Sequence, residues 1–340
     1  MADSAPRFSS RFTFLISALG IAIGTGNIWR FPRIVATNGG ENGAGSFLVA
    51  WIMFLFLWSI PLIIAEYVLG RQSRKGTVGA FSHFMGKPFA FLGGFVGFVS
   101  TAIAFYYSVV VGWNIYYFGS MTFNALPNTT ETSWAIWNNF QNGSFPIIFH
   151  AIAMSVGGFA IYKGVSSIEK VNRILIPTLL VIVLLSVVRA LMLPGSMAGI
   201  TYLFTPDWAQ LKEPRIWLEA LTQNAWDTGA GWGLFLTYAI YVKKRYGVIK
   251  NAFTVAIGNN LVSLMAAIMI FSTVFSILGN EMGMAKSEIL DVMKSSGPAA
   301  TGLTFIWMPQ LFAKMPLGKP LAILFFLGLS FAGFSSLISM

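Results

Sequence analysis

The sequence predicts an all-α polytopic membrane protein, and three observations carry that expectation. Of its 340 residues, 56% are hydrophobic and only 10% charged, against roughly 25% charged in soluble domains, and mean hydropathy is +0.70. Uncharged stretches run over 12–29, 47–65, 88–130, 132–162, 174–188, 190–206, 228–242, 251–280 and 320–340. Most approach the roughly 20 residues a helix needs to cross a bilayer. The third observation is where the cations sit. Arg7 and Arg11, then Arg71, Arg74, Lys75 and Lys87, then Lys163, Lys170 and Arg173, then Lys243, Lys244, Arg245 and Lys250 fall in alternate loops. One side thus holds 13 of the 22 basic residues with only Asp3 and Glu169 as acids, the bias of a cytoplasmic face.

The net charge of +10 therefore points to a lipid bilayer, not to nucleic acid. The N-terminus is expected in the cytoplasm and the chain in the plasma (bacterial inner) membrane. With no cysteine and two isolated histidines, His83 and His150, disulfides, thiolate chemistry and histidine metal centres are excluded. No serine, histidine and acid constellation falls at span depth, so an enzyme is not expected. Residues 12–30 are no cleaved leader, since the apolar stretch runs into Trp29-Arg30-Phe31-Pro32 without a small-residue cleavage site.

Eight spans are expected. The first, 12–36, follows Arg7 and Arg11; the second, 47–70, ends at Gly70-Arg71; the third, 89–120, follows Lys87; the fourth, 145–163, ends on Lys163. The fifth, 171–193, begins behind Lys170; the sixth, 217–243, ends on Lys243; the seventh, 251–279, follows Lys250; the eighth, 317–340, closes the sequence. Two are abnormal. The first holds Gly20, Gly24, Gly26 and Pro32, and the sixth holds Gly229, Gly231 and Gly233. Glycine costs about 1 kcal/mol against alanine inside a helix, so these clusters predict broken helices. Unpaired backbone at membrane depth is tolerable only where it lines a cavity or binds something. Gly20-xxx-Gly24 also reads as a helix-packing motif, but Arg30 and Asp227 at span depth favour a functional site.

Residues 121–144 carry no Lys or Arg and hold two Asn-x-Ser/Thr sequons, at Asn128 and Asn142, as an outside loop would. Two further outside connections, 195–216 and 281–316, include short amphipathic pieces at 287–295 and 302–313. These pieces fit either a lid across a vestibule or inert packing.

The run from Gly20 through Gly24-Thr25-Gly26-Asn27-Ile28-Trp29-Arg30-Phe31-Pro32, then Asn38-Gly39-Gly40 and Phe47, resembles the first-helix signature of the neurotransmitter:sodium symporter family. The resemblance continues through Ile60-Pro61-Leu62, Glu66 and Gly70-Arg71, Tyr106-Tyr107, Gln223 with the glycine-rich break, Asn259, and Ala332-Gly333-Phe334-Ser335-Ser336. It implies a bacterial amino-acid transporter of the leucine-transporter fold, an inverted repeat with helices one and six broken; that architecture is carried over from the family. Residues 1–11 would form a cytoplasmic N-terminus, 12–193 the first five-helix repeat, 194–216 an outside loop, and 217–340 an incomplete second repeat of helices six to eight. Family members have about twelve spans, so the chain is expected to be a fragment stopping after the eighth.

The same resemblance implies sodium-coupled symport of a neutral, hydrophobic amino acid by alternating access, with two sodium ions. The first sodium site would take Ala22, Asn27, Asp227 and Asn259; the second Gly20, Ile23, Ala332, Ser335 and Ser336. Substrate would contact Ile21, Ala22, Gly24, Thr25, Gly26, Ile103, Tyr107, Trp226, Asp227, Gly229, Trp232, Ser336 and Met340. Its carboxylate would meet the Thr25 and Gly26 amides at a helix N-terminus. The absence of an acid at Gly24, where monoamine-carrying relatives place aspartate, favours an amino acid. Tyr107 and Trp226 would form an outer lid with Arg30 beside them, and Tyr241 would serve the inner gate, where Phe8 stands in place of a tryptophan. Ser263, one turn after Asn259, would suit chloride together with Gln223. Trp51 in place of a tyrosine, and the fixed carboxylate of Asp227, argue instead for chloride independence. A channel is disfavoured for lack of a filter; a non-transporting receptor or scaffold, or a transporter of the same fold that does not use sodium, remains the alternative. No nucleic-acid partner is expected, and oligomeric state is not read from the sequence.

Overall fold

The computed structural model describes residues 7–294 and 301–340. Asp3, residues 1–6 of the expected N-terminal segment, and residue 295 of the expected loop helix lie outside the described residues. Among those described, every regular element is a helix. In chain order they are α1 Arg11–Ala22, α2 Thr25–Thr37, α3 Gly45–Ser73, α4 Thr77–Met85, α5 Ala90–Phe123, α6 Thr130–Gln141, α7 Phe145–Ile161, α8 Val165–Leu191 and α9 Ser196–Phe204. There follow α10 Pro214–Thr228, α11 Leu234–Ala239, α12 Val248–Glu281, α13 Lys286–Lys294, α14 Leu303–Ala313 and α15 Gly318–Leu337.

The two expected breaks are present. Ser10 caps α1 in a box with Thr13: the Ser10 amide donates to Thr13 Oγ1 at 3.2 Å and the Thr13 amide to Ser10 Oγ at 3.1 Å. The helix then stops because Ile23 and Gly24 are extended, and α2 resumes at a 48° bend. Pro32 lies within α2. In the sixth segment Gly229, Gly231 and Gly233 all take positive φ, at 63°, 92° and 76°, a region other residues enter only with strain. The expected span 217–243 is accordingly two short helices, α10 and α11, separated by those glycines.

Helices α3, α5, α8, α12 and α15 are each long and apolar enough to cross a membrane. The bent pair α1–α2 makes a sixth candidate, and α6–α7, turned by 71°, a seventh. The α6–α7 pair differs from the expected single span at 145–163. The uncharged run across 132–162 hides a turn at Gly143-Ser144, and the stretch before it, expected as loop, is helical. In the expected loop 281–316, α13 packs against α2 with Ile289, Leu290, Val292 and Met293 buried.

Burial separates into two main cores. One joins α2, α8, α12, α15 and the outer part of α10; the other joins α1, α11, the second half of α3 and the start of α12. Each broken helix thus contributes one half to each core, which leaves both breaks between the two. That is where the site lies.

Candidate functional site

A small cavity opens between the breaks. Its polar wall is Ala22, Gly24, Gly26, Asn27, Asp227 and Ser336, and the rest is Ile21, Tyr107, Trp226, Gly229, Trp232 and Met340. Eleven of the thirteen residues expected to touch substrate therefore line one space. The other two do not: Ile103 sits one turn before Tyr107 and falls outside the lining, and Thr25 meets the site through Tyr107. The Tyr107 hydroxyl accepts from the Thr25 amide at 2.9 Å and lies 3.2 Å from Thr25 Oγ1.

Two glycines are required by what stands against them. A Cβ on Gly24 would come within 2.7 Å of the Tyr107 hydroxyl and 3.0 Å of Ser336 Oγ. On Gly26 it would meet Trp226 Nε1 at 2.9 Å. Trp226 in turn packs edge-on against Trp232 at 5.6 Å between ring centroids and carries the Arg30 guanidinium 5.7 Å over its ring. Arg30 also donates to Gln223 Oε1. Of the three residues expected at the outer lid, Arg30 and Trp226 are in contact, and Tyr107 lines the same cavity as Trp226.

Three of the four residues expected at the first sodium site, Asn27, Asp227 and Asn259, join one buried network through Ser263, and Ala22 lines the same cavity. Asn27 Oδ1 accepts from the Gly24 amide at 2.8 Å, and Asn27 Nδ2 donates to Asn259 Oδ1 and Ser263 Oγ, both at 2.8 Å. Ser263 donates to Asp227 Oδ2 at 3.1 Å, while Asp227 Oδ1 is buried without a hydrogen-bond partner. An unpaired carboxylate oxygen beside amide and carbonyl oxygens is a donor set suited to a hard cation. Around the second expected site, Ser335 Oγ donates to the carbonyls of Ala332 at 2.9 Å and Ile23 at 3.3 Å. Ser336 Oγ lies 3.3 Å from the Gly20 carbonyl and 3.4 Å from that of Ile23. All five expected oxygens converge there, supplied by a helix break and a facing helix. No cluster of three or more His, Cys, Asp or Glu occurs among the described residues.

At the basic end, Phe8 and Tyr241 are brought together through the backbone. Phe8 is fully buried; its ring packs on Phe14 at 5.3 Å and on Tyr238 at 5.7 Å. Tyr241 contributes its backbone carbonyl, which accepts from the Phe8 amide at 3.2 Å. Tyr241 lies in a turn beyond the end of α11 with its ring half-buried, and the ring neighbours of Phe8 are Phe14 and Tyr238.

Two contributors went unassigned in the sequence. Glu66 on α3, noted only as part of the family pattern, accepts from the Gly231 amide at 2.6 Å and the Leu236 amide at 3.0 Å, holding the break and the start of α11. A carboxylate at mid-span was the available signal. Asn224 was missed altogether: its Nδ2 donates to the Trp51 carbonyl at 2.7 Å, next to a widened turn of α3 at Leu55–Ser59.

Broken helices, carbonyls freed in mid-core, an aromatic-walled pocket and buried oxygen clusters define a polytopic secondary transporter. The chain belongs to the sodium:neurotransmitter symporter family, whose profile matches residues 5–146 and 142–340. A sodium-dependent transporter of Methanocaldococcus jannaschii is 32% identical over 98% of this chain and 67% of its own length. The sodium- and chloride-dependent GABA transporter ine of Drosophila melanogaster is 28% identical over 97% of this chain and 38% of its own. Among solved structures, MhsT in complex with L-phenylalanine superposes with a TM-score of 0.82 at 30% identity, over 99% of this chain and 73% of that one. The fold is therefore of the leucine-transporter type, and the protein is a multi-pass membrane transporter of a sodium-dependent family, not an enzyme.

Proposed function

We propose that the protein couples inward sodium movement to uptake of a neutral, hydrophobic amino acid, with its N-terminus on the cytoplasmic side of a bacterial inner membrane. The observation that carries this reading is the cavity between the breaks, polar at the start of α2 and aromatic at Trp226 and Trp232. The amino-acid carboxylate would meet the α2 N-terminus and the Tyr107 hydroxyl, and the amine the carbonyls at the breaks, those of Ala22 and Trp226 first. A side chain would then lie among Ile21, Trp226, Trp232 and Met340, suiting an apolar group. The relative bound to L-phenylalanine supports the substrate class.

Two sodium ions would be carried as co-substrates. One would bind Ala22, Asn27, Asp227 and Asn259; the other Gly20, Ile23, Ala332, Ser335 and Ser336. Chloride would not be needed, because Ser263, the hydroxyl that would hold it, faces Asp227 instead. Alternating access would use the Tyr107, Trp226 and Arg30 cluster outside, and Phe8 with Tyr238 and the Tyr241 carbonyl inside.

The test is labelled amino-acid uptake into proteoliposomes holding the protein made from its complete gene, with and without an inward sodium gradient. Saturable uptake of a neutral apolar amino acid only with sodium is expected. Equal uptake with a potassium gradient would reject the coupling, and binding without any uptake would favour a receptor.

A further inference from the structure

Three buried asparagine side chains link the first expected sodium site to the backbone of α3. Asn224 on α10 and Asn259 on α12 are fully buried, and Asn260, the neighbour of Asn259, is nearly so. Asn259 Nδ2 donates to Asn260 Oδ1 at 3.2 Å, and Asn260 Nδ2 donates to Asn224 Oδ1 at 3.4 Å. Asn224 Nδ2 ends the run on two carbonyls, that of Trp51 on α3 at 2.7 Å and that of Ala220 on its own helix at 3.2 Å.

The chemistry of the far end gives this run a direction. A carbonyl only accepts, so the edge of Asn224 that faces Trp51 and Ala220 must be its nitrogen. Its oxygen then faces the other way, toward Asn260 and the hydroxyl of Ser59 at 3.5 Å. Asn260 must meet that oxygen with Nδ2, which turns its own Oδ1 to Asn259, and Asn259 must answer with Nδ2. The amide oxygen left over at the near end is Asn259 Oδ1, and it faces Asn27. Three two-faced groups thus have one consistent arrangement, the one that leaves an oxygen at the first sodium site.

Orientation matters because a reversed Asn259 would present N–H₂ to a cation. Asn27 also faces Asn259, but it belongs to the same ligand set and its Nδ2 is shared with Ser263, so the hold that does not depend on the ion comes from the Asn260 side. Polar side chains between membrane helices also serve as packing glue. Glue needs only matched pairs, whereas this run keeps one polarity from a backbone carbonyl to an ion ligand. Its anchor, Trp51, lies just ahead of the widened turn Leu55–Ser59 of α3.

We propose that Asn260 and Asn224 are positioning residues for the first sodium ion, holding the Asn259 amide with its oxygen toward the ion and acting through Asn259 without being ligands. The proposal rests on the first sodium site described above. Groups that orient a metal ligand from behind typically change affinity by about 10–100-fold when removed.

The experiment uses protein from the complete gene carrying Asn260→Leu, which keeps the side-chain volume and removes both bonds. Sodium is titrated in detergent with two readouts, labelled amino-acid binding and the sodium-dependent rise of the thermal midpoint without amino acid. Half-saturating sodium should rise at least tenfold by both, while amino-acid affinity at saturating sodium stays within about threefold of native. Asn224→Leu, two side chains from the ion, should act in the same direction by about three- to tenfold. Asn259→Asp supplies a ligand whose two oxygens are equivalent and need no orienting, so in that background Asn260→Leu should change half-saturating sodium by less than about twofold. A merely structural role would cost the same in both backgrounds. Native sodium dependence in Asn260→Leu, or an equal loss with Asn259 and with Asn259→Asp, would overturn the proposal. If the Asn259→Asp proteins bind no amino acid, the thermal readout makes the comparison; if the leucine variant does not fold, Asn260→Ala replaces it. Asn27→Leu with unchanged sodium dependence would instead overturn the first site itself, so the two failures are told apart.

Discussion

The hydroxyl of Ser263 donates to Asp227 Oδ2 at 3.1 Å, and both residues are buried. The same hydroxyl accepts from Asn27, so it is engaged on both sides. An anion placed beside it would face the carboxylate at close range. Replacing chloride by gluconate should therefore leave sodium-driven uptake unchanged in the native protein, and Asp227→Ser should make it chloride-dependent. Strong chloride dependence of the native protein would reverse this assignment.

Sodium-stabilised amino-acid binding should be abolished by Asn27→Leu, and equally by Ser335→Ala combined with Ser336→Ala. Each removes oxygens that must replace a hydration shell, at two positions separated by the first helix break. Radioligand binding across a sodium series measures it, and a mutant that keeps the native sodium dependence removes the corresponding site.

Gly24→Asp should destroy binding on two counts. Its Cβ would crowd Tyr107 and Ser336, and its carboxylate would lie near that of the substrate. Two like charges about 4 Å apart in a partly desolvated site repel by about 4 kcal/mol, roughly a thousandfold in affinity. Retained affinity for the same amino acid would show that the carboxylate sits elsewhere.

Glu66→Ala should lower both the thermal midpoint and substrate affinity, because two backbone N–H groups at the sixth-segment break lose a charged acceptor. Hydrogen bonds to charged groups contribute about 1.5–3 kcal/mol each. Glu66→Gln keeps one acceptor oxygen and should lose less. Thermal unfolding in detergent ranks the three proteins, and equal midpoints would remove Glu66 from this role.

Gly233→Ala should cost about 1–3 kcal/mol through its left-handed backbone alone, with a further penalty because the added methyl would press on Val96 at 2.8 Å and on Thr77. Gly247, with open space around it and an ordinary φ, should accept alanine with little change. Paired thermal-shift measurements of the two variants give the contrast.

The two breaks were legible because glycine clusters are costly in a helix and conspicuous in an apolar span. Asp227 and Asn27 stood out for the same reason, as polar groups where water is absent. Less could be read where the chemistry is apolar throughout. The 71° turn between α6 and α7 is buried in an uncharged run, and hydropathy averages across it. The end of α11 was not legible either, because it depends on tertiary contacts to its last carbonyls, as those from Arg74.

Those last carbonyls are held from a helix already named. Arg74, at the end of α3, donates to the carbonyls of Ile240 and of Val242, the latter at 2.8 Å, and Arg71 donates to that of Tyr246 at 2.8 Å. Glu66, two turns earlier on α3, holds the opposite end of α11 through Gly231 and Leu236. A six-residue helix has little stability of its own, and here one neighbour grips it by an anion at the amino end and cations at the carboxyl end, the polarity its dipole prefers. Mechanically, α11 and this half of α3 make one rigid body. Any motion that swings α11 away from α10 must pivot on the three left-handed glycines and drag α3 with it, so a variant that frees one end of the grip should loosen the pivot without touching the cavity.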